Sequence, residues 1–162
     1  PDDDRPEPIM TMALTFPDLQ GSMLKQKAPD IVLRNQQGAA YPLSALKGKT
    51  TLVYFWATWS GPARENHTDL NKIHAKYGKS AFDIYGVAFE KDVNRWEKAV
   101  QDDQLEWNNH LIDTKGTESS VLEKYKVKYL PAMFLLDENG TVVAENLTYE
   151  QLDAELGRRL QK

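Results

Sequence analysis

Two largely apolar runs, Thr50–Trp56 and Phe82–Phe89, dominate the pattern of hydrophobic and polar positions along the chain. Both are rich in β-branched and aromatic residues and carry at most one charge, which is typical of strands buried on both faces of a sheet. Between them, Leu70 and Ile73 belong to an apolar repeat at helical spacing, which predicts a helix over residues 61–77. This order of strand, helix and strand predicts a right-handed parallel βαβ unit.

Weaker signals continue the same alternation on either side. Thr148 and Gln151 form a capping box that opens a last helix. The other expected elements are a hairpin of 31–34 and 40–42, a helix at 92–102, a strand at 107–112, a helix at 118–125 and a hairpin of 132–136 and 141–145. The predicted fold class is therefore α/β, with a central mixed β-sheet and helices on both of its faces.

The first residues differ from the rest of the chain in composition. PDDDRPEP holds three prolines, four acidic residues and one arginine, which indicates a flexible leader or linker and not a signal peptide, since a signal peptide begins basic and continues apolar. The pattern over residues 9–27 fits either a tail or an edge strand. We therefore expect a leader or linker, disordered in part, over residues 1–27 and one domain over residues 28–162.

Composition and charge exclude several function classes. The chain has 162 residues with 20 Lys and Arg against 24 Asp and Glu, and this acidic balance without a basic cluster argues against nucleic acid as a partner. No apolar run approaches the roughly 20 residues of a transmembrane segment. The chain contains no cysteine, which excludes disulfides, thiolate catalysis and cysteine-based zinc sites. No metal site is expected from the histidines, whose spacing does not fit one.

The junction between the first buried strand and the helix carries the most specific motif. In parallel α/β sheets, functional residues collect where a strand ends and the next helix begins, and here the chain reads F-W-A-T-W-S-G-P-A-R over residues 55–64. This segment resembles the F-W-A-T-W-C-G-P-C-R signature of the TlpA/ResA-like thiol–disulfide oxidoreductases, in the thioredoxin superfamily. The two departures are Ser60 and Ala63, which stand in place of the cysteines.

Those two replacements remove the chemistry of the motif. A thiolate at a helix N-terminus has a lowered pKa and attacks disulfides, whereas a serine hydroxyl does not ionise there and alanine has no lone pair. Ser60 is interpreted as a helix N-cap and not as a nucleophile, because His67 lies seven residues, or about 10 Å, further along the helix. Dithiol exchange is therefore unavailable to the chain with this sequence.

Further segments extend the resemblance over residues 28–162. Ala28–Asp30 is similar to the A-P-D-F opening of the family, and Leu43–Lys49 is similar to its L-S-x-L-K-G-K lead-in. Pro131 stands where the family has a cis-proline, although Leu130 departs from the Thr or Val that usually precedes it. The resemblance makes Glu90 a candidate proton relay, because it matches an acidic position near the cysteine pair. An exposed carboxylate in a charged turn is the other interpretation of that residue.

The resemblance implies a thioredoxin fold with an N-terminal β-hairpin extension, no cofactor, and a location in the bacterial periplasm or cell envelope. It also implies a groove for an extended segment of a protein partner or substrate, and the candidate groove residues are Trp59, Gly61, Pro62, Leu130 and Pro131. Two functions stay open. The chain is either a natural redox-silent relative that keeps this groove or an active oxidoreductase whose cysteines have been replaced. The unlike pair of replacements favours the first.

Overall fold

The structure is a computed structural model and describes residues 22–160 of the chain. Its strands are β1 (Val32–Arg34), β2 (Ala40–Pro42), β3 (Thr50–Trp56), β4 (Phe82–Phe89), β5 (Asn109–Asp113), β6 (Ala132–Leu136) and β7 (Val142–Glu145). They form one sheet in the order β2-β1-β5-β4-β3-β6-β7. β3, β4 and β5 run parallel, and the outer pairs are antiparallel. The predicted mixed sheet and its parallel βαβ unit are thus confirmed.

Helices cover both faces of this sheet, as predicted. They are α1 (Gly61–Tyr77), α2 (Val93–Asp102), α3 (Ser120–Lys124) and α4 (Tyr149–Leu160), with 3₁₀ turns at Leu43–Leu46 and Gly116–Glu118. Residues of α1, α2 and α4 pack into one core layer, and residues of α3 and the first 3₁₀ turn pack into the other. The helix expected at 118–125 is interrupted at Ser119, whose hydroxyl caps α3 by accepting a hydrogen bond from the Val121 N–H.

The central strand β3 is buried along its whole length. Successive side chains of a strand point to opposite faces, so Tyr54 and Trp56 pack beneath α1 while Val53 and Phe55 pack into the layer that contains α3. This two-sided burial explains why the run shows no polar alternation. It also anchors the turn that follows β3 to both cores.

β4 carries one glycine among its bulky residues because an indole lies against its backbone. A Cβ atom added at Gly86 would lie 2.9 Å from Nε1 of Trp107, a residue that is itself buried. Gly86 also pairs with His110 of the neighbouring strand β5. A glycine in a strand interior often marks such a close approach.

The capping box before α4 and the hairpin of β1 and β2 are both present, as expected. In the capping box, the Thr148 N–H donates to Gln151 Oε1 at 2.9 Å, and the Gln151 N–H donates to Thr148 Oγ1 at 3.1 Å. The upstream hairpin forms as well, and β1 joins the sheet through the pair of Arg34 with Ile112 of β5. No helix in residues 22–160 has the length and apolar character that crossing a membrane requires.

Part of the expected leader packs against the domain. Met23 lies in the core, and Lys27 forms an isolated antiparallel bridge with Thr141 beside β7. Residues 22–27 therefore cover the outer edge of β7, whose backbone groups would otherwise lack partners. The predictions for residues 1–21 lie outside the described part of the chain.

Candidate functional site

The motif lies at the carboxyl end of β3, where residues 57–60 lead into α1. β3 pairs with β4 as far as Trp56 and with β6 as far as Phe55. The continuation of these registers brings Glu90, which follows β4, to one side of the turn and Pro131, which precedes β6, to the other. The sheet topology thus gathers the candidate residues at one edge, although they are far apart in sequence.

Ser60 caps α1, as the sequence predicts. Its Oγ accepts a hydrogen bond from the Ala63 N–H at 3.2 Å, and Ala63 is completely buried. The buried hydroxyl of Tyr54 donates to the Ala63 carbonyl at 2.9 Å, and burial raises the pKa of that phenol above its ordinary value. The side chain at position 60 therefore faces the N–H groups of the first helical turn, where a helix best stabilises an anion.

The candidate groove residues differ in exposure. Trp59 is 55% exposed, and Gly61 and Pro62 beside it are exposed as well. Pro131 is half-buried, and its peptide bond with Leu130 is cis. Leu130 is 7% exposed and belongs to the core layer that contains α3, so it lies beneath the surface of the site. Four of the five candidates therefore reach the surface.

Glu90 is a buried carboxylate and not a surface residue of a charged turn. It is 5% exposed. The Thr58 hydroxyl donates to one of its oxygens, and the Asp92 N–H donates to the other at 3.0 Å. Arg95 adds a cation at 4.0 Å. Both carboxylate oxygens thus have partners, and one of these partners belongs to the motif itself.

A second cluster of charged residues lies directly behind the motif, and it was not predicted from the sequence. Arg64 binds Asp103 through two hydrogen bonds, with Nε at 2.5 Å and Nη2 at 2.9 Å, and its Nη1 donates to the Thr58 carbonyl at 3.1 Å. His67 Nδ1 lies 2.6 Å from the same carboxylate. Asp103 follows α2, so this cluster links the turn, α1 and the end of α2.

The protonation states in this cluster follow from burial and hydrogen bonding. Burial alone would raise the pKa of Asp103, but hydrogen bonds from Arg64 and His67 outweigh it and hold that pKa below its ordinary value. Burial lowers the pKa of His67 despite the opposing effect of Asp103. A carboxylate can only accept hydrogen bonds, so Nδ1 of the neutral imidazole carries the proton.

The surroundings of His67 give it a structural role. The ring is 4.7 Å from that of Trp56 and perpendicular to it, and its Nε2 is buried without a hydrogen-bond partner in the described structure. The only signal of this cluster in the sequence is that Arg64 and His67 are three residues apart and so share a helix face. Asp103 lies 36 positions beyond His67, and no local pattern connects them.

The described residues offer no evident metal centre. Within residues 22–160, no three side chains among the histidines and carboxylates are placed so that they could hold one ion.

Comparisons with known proteins agree with this geometry. The family model described as Redoxin matches residues 23–158. The chain is 30% identical over 149 residues to the thiol-disulfide oxidoreductase ResA of Bacillus cereus, which covers 91% of this chain and 82% of that protein. It is also 30% identical over 118 residues to the thioredoxin-like protein YneN of Bacillus subtilis, covering 72% of this chain and 67% of that protein.

Solved structures give the same result for the fold. The thioredoxin domain of a thiol-disulfide oxidoreductase from Bacteroides vulgatus superposes with a TM-score of 0.81 at 28% identity, covering 86% of this chain and 99% of that one. A thiol:disulfide interchange protein from a Bacteroides species gives the same TM-score and identity, with 87% and 92% covered. The thioredoxin fold is thus confirmed. The chain belongs to the redoxin family, among the relatives of the ResA-like thiol–disulfide oxidoreductases, with Ser60 and Ala63 where their motif has its two cysteines.

Proposed function

We propose that this domain is a redox-silent member of its family that binds an extended segment of another protein. The main support is the exposure of Trp59, which is 55% exposed on the motif turn. The other tryptophans are each at most 2% exposed, namely Trp56, Trp96 and Trp107. A large aromatic side chain left in water beside the exposed Gly61 is typical of a binding surface.

The backbone at this end of the strands suits a partner in extended conformation. The turn after β3 and the segment around Pro131 flank the same surface, at the end of a strand that is itself paired on both sides. An extended peptide lying across this surface would be held by main-chain hydrogen bonds to the turn and to the segment that precedes β6. Trp59 and Pro62 would contribute apolar contact to the side chains of such a peptide. Recognition of this kind needs no thiol.

The proposed function does not include thiol–disulfide exchange, because that reaction requires thiols. Exchange begins with the attack of a thiolate on a disulfide sulfur and requires a second thiol for its resolution. Ser60 uses its hydroxyl oxygen as a helix cap, and Ala63 presents only a buried methyl group. With no cysteine anywhere in the chain, no other residue supplies either thiol.

The second candidate is an active oxidoreductase whose natural sequence has cysteine at positions 60 and 63. Glu90 favours it, because a carboxylate that is 5% exposed and bonded to the motif through Thr58 has an obvious use in moving protons near thiols and a less obvious use in a binding module. Sequencing of the source gene at codons 60 and 63 separates the candidates, since cysteine codons there would eliminate the redox-silent proposal.

The location proposed for the protein is the periplasm or cell envelope of a bacterium. The relatives that match are bacterial proteins named as thiol-disulfide oxidoreductases, and disulfide chemistry operates mainly outside the cytoplasm. A partner segment would then come from a protein of the same compartment.

Peptide binding is tested with a reduced, carboxymethylated protein that presents unfolded chain but no thiols. Trp59→Ala should weaken its binding by about thirtyfold or more, because a tryptophan anchor is worth about 2 kcal/mol or more. Val32→Ala is the matched control, since Val32 is 61% exposed on β1, which lies next to the edge strand β2 on the far side of the sheet. Equal loss in both variants, or no binding by the unmodified chain, would contradict the proposed groove.

Restoration of the thiols tests whether the rest of the site is intact. Ser60→Cys/Ala63→Cys should gain the ability to reduce a protein disulfide, because a thiolate at position 60 would receive the Ala63 N–H bond and the helix dipole. The single variant Ser60→Cys is the control, since it lacks the resolving thiol. A folded double variant without activity would mean that the surroundings have also lost the function.

A further inference from the structure

The described part of the chain begins near the same end of the strands as the proposed groove. Residues 22–27 run antiparallel to β7, with Lys27 beside Thr141 at the start of that strand. At the other end, the Ser22 hydroxyl and the Met23 N–H both bind the carboxylate of Glu145, the last residue of β7. Glu145 pairs with Phe134 in the middle of β6, and Pro131 directly precedes β6. Whatever precedes Ser22 therefore starts from the groove side of the sheet.

The distance from this entry point to the groove is short. β7 and β6 separate residues 22–27 from β3, and neighbouring strands are about 4.8 Å apart, so the lateral distance is about 14 Å. The five residues 17–21 span up to about 17 Å when extended. The chain around Phe16 is therefore within reach of the end of β3 that leads to Trp59.

Residues 9–16 have the composition that such a surface would bind. They read I-M-T-M-A-L-T-F, with no charge and six apolar residues among eight. Segments of this length and composition bury apolar area against an exposed aromatic side chain and a proline. The two threonines, Thr11 and Thr15, supply matched polar positions within the same segment.

Charge complementarity points in the same direction. Lys124, Lys126 and Lys128, here called the lysine rim, are exposed on the stretch that leads from α3 to Pro131. Within residues 22–160, none of the three forms an ion pair. Lys126 Nζ reaches the Ser22 carbonyl at 3.4 Å, so the rim lies beside the entry point. Residues 1–8 carry four carboxylates and one arginine, the opposite charge.

We propose that residues 9–16 of this chain occupy the groove at Trp59 and Pro131 in cis, held by the attraction of residues 1–8 to the lysine rim, and that a protein partner must displace them. The inference rests on the proposed groove and adds its regulation. A tethered segment acts at an effective concentration on the order of 1 mM. A segment whose free affinity is about 0.1 mM would then occupy the groove about ten to one and weaken the binding of a partner about tenfold.

The test uses the full chain with charges introduced into the segment. Leu14→Asp/Phe16→Asp places two carboxylates at apolar positions and should release the segment, and Thr11→Asp/Thr15→Asp adds the same charge at polar positions as the matched control. Quenching of tryptophan fluorescence by acrylamide reports on the groove, because only Trp59 among the four tryptophans is exposed. Binding of a labelled synthetic peptide of residues 1–18 reports on access for a partner.

The expected result is stronger quenching in the released variant and about tenfold tighter binding of the peptide than in the unmodified chain, with the threonine control close to the unmodified chain. Equal quenching and equal peptide affinity in all three proteins would overturn self-occupancy, while the peptide binding itself would still support the groove. Stronger quenching in the released variant without binding of the carboxymethylated protein would support self-occupancy and contradict the proposed partner binding.

Discussion

The folded state should lose stability as the pH falls from 7 to 4, because two histidines are buried as neutral rings. Burial lowers the pKa of His110, which is 3% exposed, to about 4, and burial lowers the pKa of His67 in the same direction. In the unfolded chain both titrate near 6.5. The unfolded state therefore binds protons that the folded state does not, so stability is fully present above the unfolded pKa and is lost as the pH falls toward the folded pKa.

His110 sets the size of this effect. A pKa of about 4 in place of about 6.5 corresponds, at about 1.36 kcal/mol per pKa unit, to a loss of about 3 kcal/mol between pH 7 and pH 4. That is a large share of the 5–15 kcal/mol that stabilises an average domain. Asp103 contributes little in this window, because its pKa is lowered from an already acidic value and most of its stabilisation is lost only at lower pH.

Urea unfolding followed by far-ultraviolet circular dichroism at pH 7 and pH 4 measures the loss. His110→Phe, which replaces the imidazole by a ring that does not titrate, should remove most of the difference between the two pH values. Leu111→Ala is the matched control in the same buried strand, and it should cost about 2–4 kcal/mol at both pH values without changing their difference. A His110→Phe protein with the full pH dependence of the unmodified chain would refute the assignment to this residue.

Two further predictions concern the packing behind the site. Asp103→Asn should lower the free energy of urea unfolding by about 2 kcal/mol, because it removes the negative charge that binds both Arg64 and the buried His67. Asp102→Asn is the control. The ion pair of Asp102 is exposed, so this change should alter the free energy of unfolding by less than about 0.5 kcal/mol. Equal effects would contradict the role given to the cluster. Gly86→Ala should cost about 1–3 kcal/mol of stability in a thermal melt, because the added Cβ would overlap the indole of Trp107. Gly61→Ala is the control and should be nearly neutral, since a Cβ there has open space around it. A nearly neutral Gly86→Ala would contradict the close approach of the indole.

The sequence was informative wherever the fold depends on neighbours along the chain. The uncharged run Thr50–Trp56 predicted the central strand, and the Gly-Pro step with helical spacing predicted α1 to its last residue, Tyr77. The capping box before α4 was predicted down to its two hydrogen bonds. In each case the determining interactions join residues at most four positions apart or follow from continuous burial.

Contacts between distant segments were not predictable in this way. Arg64 and Asp103 are 39 positions apart, and they meet only because α1 and α2 cover the same face of the sheet. The burial of Glu90 has the same origin, since Thr58, its partner across the neighbouring strand, is 32 positions away. The packing of residues 22–27 on β7 also depends on a strand more than a hundred residues later.

The sequence by itself determined the fold class, the position of the motif and the absence of cysteine from it, because element periodicity is local and a residue type that is missing from the sequence is missing in any conformation. The tertiary structure decided which side chains surround the motif. It exposed Trp59, buried Leu130 and Glu90, and placed the charged pair of Arg64 and Asp103 behind the turn. These outcomes depend on which strands become neighbours and which helices share a face, and that information is distributed over the whole chain.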